Sequence, residues 1–285
     1  MNVQDLKEKY KLTPVICQLV QDKIIQIYTF NVRPTDQAIA IILGGQPGAG
    51  KGELITIATK MLAGNLVICN ADEYRDFHPL SDEIKANYEE FYPDITVDYS
   101  QPWNNGLRAF CEQQGLSYVM ETTFTSGARM NETISDMKSK GYRVVILLLA
   151  VNERFSLLGT YLRYLEMKNL SGYGRRVSKK IHDEKYGLVP STLKAVQEAG
   201  LYDEIQIYKR KPVEENHIGN GIELIATNPI DPLTIYLTER DKPWSHYTRK
   251  YFVDCCQKVA SMMNSRRDAF KKEQFLKNLG LKTKR

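Results

Sequence analysis

Apolar runs separated by stretches of helical or loop character set the pattern of this chain. Residues 38–43 carry no polar side chain, and further runs of strand character follow at 66–70, 116–120, 143–151 and 204–208. Continuous apolar runs of this length fit strands buried on both faces. Between them, residues 53–63 have the make-up of a helix closed by Gly64-Asn65, and 191–199 that of a short helix with Ser191 as N-cap and Gly200 just past its end. Strands alternating with helices predict an α/β fold with a mostly parallel sheet flanked by helices, and ligands at the carboxyl ends of the strands.

Two helix-like stretches precede this core within residues 3–30, split near Leu12-Thr13-Pro14, and Arg33-Pro34-Thr35-Asp36 marks a turn into the first strand. Past Lys211-Pro212 the pattern weakens to a strand pair, 221–226 and 233–237, and a charged helical stretch from Trp244 to about Lys277. The division predicted is an N-terminal helical extension (1–35), an α/β core domain (36–210) and a C-terminal extension with a basic tail (211–285).

The loop after the first strand carries the chemistry. Gly45-Gln46-Pro47-Gly48-Ala49-Gly50-Lys51-Gly52 follows directly on the apolar run. In that setting it reads as a phosphate-binding loop, because glycines let backbone N–H groups wrap phosphates and Lys51 adds a positive charge. The competing reading is an ordinary glycine-rich turn. A hydroxyl residue usually follows the lysine and holds Mg²⁺, whereas here Gly52 and Glu53 do. Adenylate-kinase-type loops share that glycine and leave the cation to water, phosphate oxygens and nearby carboxylates, so no residue is assigned to Mg²⁺.

Asp72 lies just past the second strand, where a carboxylate is placed to take a proton from an acceptor hydroxyl, to cap a helix, or to bind Mg²⁺. Glu121 and Thr123 end the next strand and either hydrogen-bond a polar substrate or serve only an ion pair and a helix start. Beyond the 143–151 strand a helix-like run carries Arg163, then breaks at Ser171-Gly172-Tyr173-Gly174 before Arg175-Arg176. A glycine break ahead of arginines predicts a mobile lid whose cations reach the phosphates, with plain surface charge as the alternative.

Composition adds bounds. The chain has 285 residues and a net charge of +5, but residues 266–285 alone hold eight Lys or Arg against two acids, so the first 265 residues carry about −1. The basic excess belongs to the tail, and solvation is a better reading of it than nucleic-acid binding. Five cysteines in no metal-ligand or C-x-x-C spacing predict a reducing compartment. With no signal-peptide pattern and no stretch of 18 apolar residues, a soluble cytoplasmic protein is expected.

Together these motifs resemble the zeta toxin family, the kinases of bacterial toxin–antitoxin systems, from about residue 38 to residue 210. They fall in family order: Gly-Gly-Gln-Pro-Gly-Ala-Gly-Lys (44–51), Asp72 before His78-Pro79, Glu121-x-Thr123, Leu-Gly-Thr-x-x-Arg-Tyr (158–164), Arg175 before His182-Asp183, and Gly200-Leu201-Tyr202-Asp203. The resemblance implies a P-loop NTPase fold. It implies ATP as phosphate donor with Mg²⁺, Lys51 on the phosphates, Asp72 as the base, Glu121 and Thr123 facing the acceptor, and Arg163 and Arg175 clamping the γ-phosphate. The acceptor implied is the sugar 3′-hydroxyl of UDP-N-acetylglucosamine, and the partner implied is a small helical antitoxin. Departures from the family pattern are Gly52-Glu53, the adjacent pair Arg175-Arg176, and the absence of the arginine that often follows Glu-x-Thr. They leave room for another small acceptor, NAD or an antibiotic hydroxyl, or for a nucleotide-binding effector that transfers nothing.

Overall fold

The computed structural model describes residues 2–211, 221–264 and 269–281. Parts of the C-terminal extension and of the basic tail therefore lie outside the described residues. In chain order the elements are α1 (Val3–Lys9), α2 (Pro14–Thr29), β1 (Ile39–Gly44), α3 (Lys51–Met61), β2 (Val67–Cys69), α4 (Ala71–Tyr74), α5 (Ser81–Tyr88) and α6 (Tyr92–Gln114). There follow β3 (Tyr118–Glu121), α7 (Gly127–Ser139), β4 (Arg143–Ala150), α8 (Glu153–Ser171), α9 (Lys179–Ala199), β5 (Glu204–Arg210), β6 (Ile222–Thr227), α10 (Pro232–Asp241), α11 (His246–Asn264) and α12 (Ala269–Asn278).

The six strands form one sheet in the order β2-β3-β1-β4-β5-β6. Pairs β2–β3 and β4–β5 are parallel and β5–β6 is antiparallel, so the sheet is of the mostly parallel α/β kind that the apolar runs predict. Its central strands are buried throughout: Ala40 to Leu43 and Val144 to Leu149 have no measurable exposure. Such strands need cover on both faces, and the helices that cross over between them supply it.

The chain divides into two compact units. One holds residues up to Ile42, Ile57–Glu121 and Met137–Val144; the other holds Leu43–Thr56, Thr122–Asp136 and the chain from Val145 on. In the first, α1 and α2 are packed onto the long helix α6. The indole N–H of Trp103 donates to the Cys17 carbonyl (3.1 Å), the Gln21 amide donates to the Trp103 carbonyl (3.1 Å), and Leu6, Ile24 and Trp103 are buried. In the second unit α8, α11 and α12 share a core of Leu157, Leu165, Phe252, Val259, Phe275 and Leu279. Each such side chain is worth about 1.5–3 kcal/mol of burial, enough to hold α8, α11 and α12 together.

Three expectations need correction. Residues 191–199 are not a separate helix: α9 runs unbroken from Lys179, Ser178 is its N-cap, and the Ser191 hydroxyl donates to the Leu188 carbonyl instead. Pro190 sits inside this helix, where its ring normally marks a start, and Gly200 ends it in the left-handed region as expected. Residues 233–237 are not a strand but part of α10, opened by Asp231, whose carboxylate accepts the Thr234 N–H (3.1 Å) with Pro232 in the first turn. β6 therefore pairs with β5. The helical stretch from Trp244 forms two helices, α11 and α12.

Candidate active site

The loop 45–50 turns the chain from β1 into α3 through three glycines at positive φ: Gly45 (+150°), Gly48 (+74°) and Gly50 (+100°). Its back is pressed against α8. A Cβ on Gly48 would lie 2.0 Å from the Ser156 carbonyl oxygen and 2.7 Å from the Thr160 nitrogen, and one on Gly159 would lie 2.3 Å from the Gly48 oxygen. The opposite side is open, since a Cβ on Gly50 or Gly52 would meet nothing within 4 Å. First-turn amides of α3 have no intrahelical acceptor, so this open side presents N–H groups and the positive end of a helix, which is a cradle for phosphate.

Side chains within the loop complete it. Gln46 is buried and donates to the Val151 carbonyl (2.9 Å), which ties the loop to the end of β4, while its own side-chain oxygen has no partner among the described residues. The Lys51 ammonium donates to the carbonyls of Gly45 (2.8 Å) and Gln46 (3.4 Å), so the cation sits curled within the loop. Arg210, at the end of β5, reaches the Gly48 carbonyl (3.4 Å) and was not picked out by any sequence pattern. Glu53 lies against the start of β6, where a Cβ on Gly221 would be 3.4 Å from its carboxylate.

Within the same unit, the stripe Ser156, Gly159, Thr160 and Arg163 runs along one face of α8, and its first three members touch Gly48. Arg163 is one turn beyond Gly159 on that stripe. The break after α8 is a helix end capped by Gly172 in the left-handed region, with Tyr173 buried and Gly174 packed on Tyr164. Arg175 follows directly; Arg176 instead lines a small hollow with Tyr161 and Tyr164. Thr123 stands in the loop after β3, its hydroxyl 3.1 Å from that of Thr125, and the loop is anchored where the Thr122 N–H donates to the Leu43 carbonyl (3.0 Å).

Behind α8 lies a chain of polar groups that the His182-Asp183 pair belongs to. His182 is fully buried with Nε2 2.8 Å from the Ser156 hydroxyl and Nδ1 3.0 Å from Asp183. Burial works against the Asp183 charge, but hydrogen bonds from His182 and Lys179 outweigh it and hold the carboxyl below the usual range. The Ser-His-Asp order invites comparison with a nucleophile triad. Ser156 is completely buried behind the loop, however, so the group braces α9 to the start of α8 rather than attacking a substrate.

In the other unit the structure brings Asp72 and Glu121 together through one residue. Asn70, the N-cap of α4, accepts the Asp72 N–H (3.1 Å) and donates to the Glu121 carboxylate (3.1 Å). Asp72 is not itself the cap. Its carboxylate accepts from the Arg75 guanidinium (3.2 Å), and that arginine is buried and held in turn by Thr96 (3.2 Å) and the Pro93 carbonyl. His78 is a structural residue: Nε2 bonds the Tyr10 carbonyl (3.1 Å), Nδ1 accepts the Leu80 N–H (3.2 Å), and burial pushes its pKa down.

The residues fit a nucleotide's phosphates by the open, glycine-lined side of the loop. For Mg²⁺ they offer less. Gly52 has no hydroxyl, and no cluster of three or more His, Cys, Asp or Glu among the described residues is placed to hold a metal. The cation would then rest on phosphate oxygens and water.

The family model of the zeta toxin matches residues 21–218. The chain belongs to the zeta toxin family. Its relatives include toxin PezT of Streptococcus pneumoniae, 30% identical over 64% of this chain and 72% of the relative, and toxin zeta of Streptococcus pyogenes, 26% identical over 82% and 77%. A solved structure from the pneumococcal PezAT chromosomal toxin–antitoxin system superposes with a TM-score of 0.76 at 20% identity, covering 93% of this chain and all of the other. The AvrRxo1-ORF1:-ORF2 complex, solved with ATP, has a TM-score of 0.51 at 12% identity, covering 96% and 84%. The pneumococcal structure thus shares this chain's fold, a mostly parallel sheet flanked by helices. No helix among the described residues is long and apolar enough to cross a membrane.

Proposed function

We propose that the protein is an ATP-dependent kinase that phosphorylates a sugar hydroxyl of UDP-N-acetylglucosamine. The observation that carries this reading is the phosphate cradle of residues 45–52, clamped from behind by Gly159 and lying within the residues that the family model matches. Lys51 and the loop amides hold the ATP phosphates, and Mg²⁺ supplies charge neutralisation on them. Asp72, aimed by Arg75, takes the proton of the acceptor hydroxyl. Glu121 and Thr123 orient that acceptor, and Arg163 and Arg175 stabilise the charge of the transferring group. Arg175 takes the clamp role on the order of the family motifs, ahead of its neighbour Arg176. A small protein antitoxin is the proposed partner, since the pneumococcal relative comes from a toxin–antitoxin system.

The test is phosphate transfer from labelled ATP with Mg²⁺ by the wild type and Asp72→Ala, offered UDP-N-acetylglucosamine and, separately, NAD. A general base contributes roughly 10²–10⁴-fold, so the variant should lose at least about a hundredfold in transfer while still binding ATP. Transfer to NAD alone would move the acceptor assignment, and a fully active variant would remove Asp72 from its role.

A further inference from the structure

A cavity of about 190 Å³ opens at the carboxyl ends of β4 and β5, between Val151, Arg210, Phe155 and three residues of the C-terminal extension, Trp244, Thr248 and Tyr251. Those three lie beyond the residues that the family model matches. The cavity shares its walls with the phosphate loop, because the Val151 carbonyl accepts from Gln46 (2.9 Å) and Arg210 donates to the Gly48 carbonyl (3.4 Å). In sheets of this kind ligands bind at just this edge.

Charge argues against a second phosphate here. Lys209 is paired with Glu223 (3.0 Å), Lys242 with Glu239 (2.6 Å) and Arg240 with Asp241 (2.7 Å), so much of the basic rim is already neutralised. The remaining character is aromatic: the Phe155 and Trp244 ring centres are 4.7 Å apart, and Phe155 and Tyr251 lie within 25° of parallel. The volume falls below the roughly 300–1,000 Å³ of pockets that enclose a whole drug-sized ligand, and suits a single flat ring system.

We propose that this cavity takes the base of the nucleotide whose phosphates the loop holds, with Trp244 and Tyr251 as the aromatic surface against which it packs. The proposal rests on the reading of the loop as an ATP site. Every base has a π-face, so aromatic walls grip it without hydrogen-bond readout, and the C-terminal extension becomes part of the donor site.

The test titrates the full chain with MgATP, with inorganic tripolyphosphate plus Mg²⁺, and with UDP-N-acetylglucosamine, by calorimetry. The variants are Trp244→Ala, Tyr251→Ala and Thr248→Phe, the last filling the cavity without removing a core side chain. Wild type should bind ATP at least about tenfold tighter than tripolyphosphate, and Thr248→Phe should erase most of that margin while tripolyphosphate binding stays unchanged. Should Trp244→Ala or Tyr251→Ala weaken tripolyphosphate as well, the fold has suffered, and Thr248→Phe decides. Equal affinity for the two ligands in wild type, or a margin that survives Thr248→Phe, overturns the pocket. Loss of the nucleotide sugar instead of ATP overturns its assignment to the donor. A wild type that binds neither ATP nor tripolyphosphate defeats the ATP reading and the pocket together. An ATP margin that depends on residue 248, with no acceptor phosphorylated, defeats only the kinase reading.

Discussion

Gly159 on α8 and Gly48 in the loop after β1 meet backbone to backbone, so close that a Cβ on the first would stand 2.3 Å from the carbonyl oxygen of the second. The Leu-Gly-Thr motif is thereby explained as a packing requirement of the loop. Gly159→Ala should force the loop outward, cost about 1–3 kcal/mol as overpacking does, and weaken ATP binding about tenfold or more. Gly187 on α9 is the control, because a Cβ there meets nothing within 4 Å. Gly187→Ala should raise the melting temperature slightly, by helix propensity, and leave nucleotide affinity alone. Thermal melts and ATP titration of the two variants check both.

Arg75 is buried and spends its guanidinium on Asp72, Thr96 and the Pro93 carbonyl. If Asp72 is the base, Arg75→Gln should lower kcat by about ten- to a hundredfold, as misplacement of a catalytic group does, with ATP affinity unchanged. Equal loss of kcat and ATP binding would instead mean general damage. Single-turnover transfer beside an ATP titration separates the two.

Position 52 has space. Because nothing lies within 4 Å of a Cβ there, Gly52→Ser should fold normally and gain a few tenths of a kcal/mol of helix stability. The hydroxyl it adds is the group that usually supports Mg²⁺ beside a loop lysine. The Mg²⁺ concentration needed for half-maximal transfer is expected to fall several-fold; an unchanged requirement would show that the cation sits out of reach of this position.

Acid should destabilise the fold through His78. Burial lowers its folded pKa below the unfolded 6.5, so the unfolded chain binds more protons once the pH drops under that value. The contribution of the neutral imidazole is fully present above pH 6.5 and is lost as the pH falls through the folded pKa. Melts from pH 7.5 to 5 should show a progressive fall that is smaller in His78→Gln, whose side chain keeps a donor for the Tyr10 carbonyl without titrating.

The central strands and the glycine turn after β1 are legible because buried parallel strands write themselves as unbroken apolar runs and the turn's glycines answer to backbone geometry. Helix α6 was not, since Pro102 and a largely polar surface blur its period, and α9 was cut short because Pro190 imitates a helix start. Residues 233–237 have β-branched and aromatic side chains, yet Asp231 and Pro232 ahead of them form a helix entry, and capping prevailed over strand propensity. At the site, Asp72 and Glu121 stood out as carboxylates at strand ends. Asn70, Arg75 and Arg210 did not, because their roles depend on partners that only folding brings near, such as Glu121, Thr96 and Gly48.

The antiparallel pairing of β6 with β5 makes the chain's last segment a guard on the sheet. Ile205, Ile207 and Tyr208 of β5 are buried, and β6 occupies the hydrogen-bonding rim beside them. A product ending near Arg210 would present that rim bare, as a template for strands of other molecules. Proteolytic loss of the extension should therefore register in a sedimentation assay as pelleted protein, not as a smaller protein left in the supernatant.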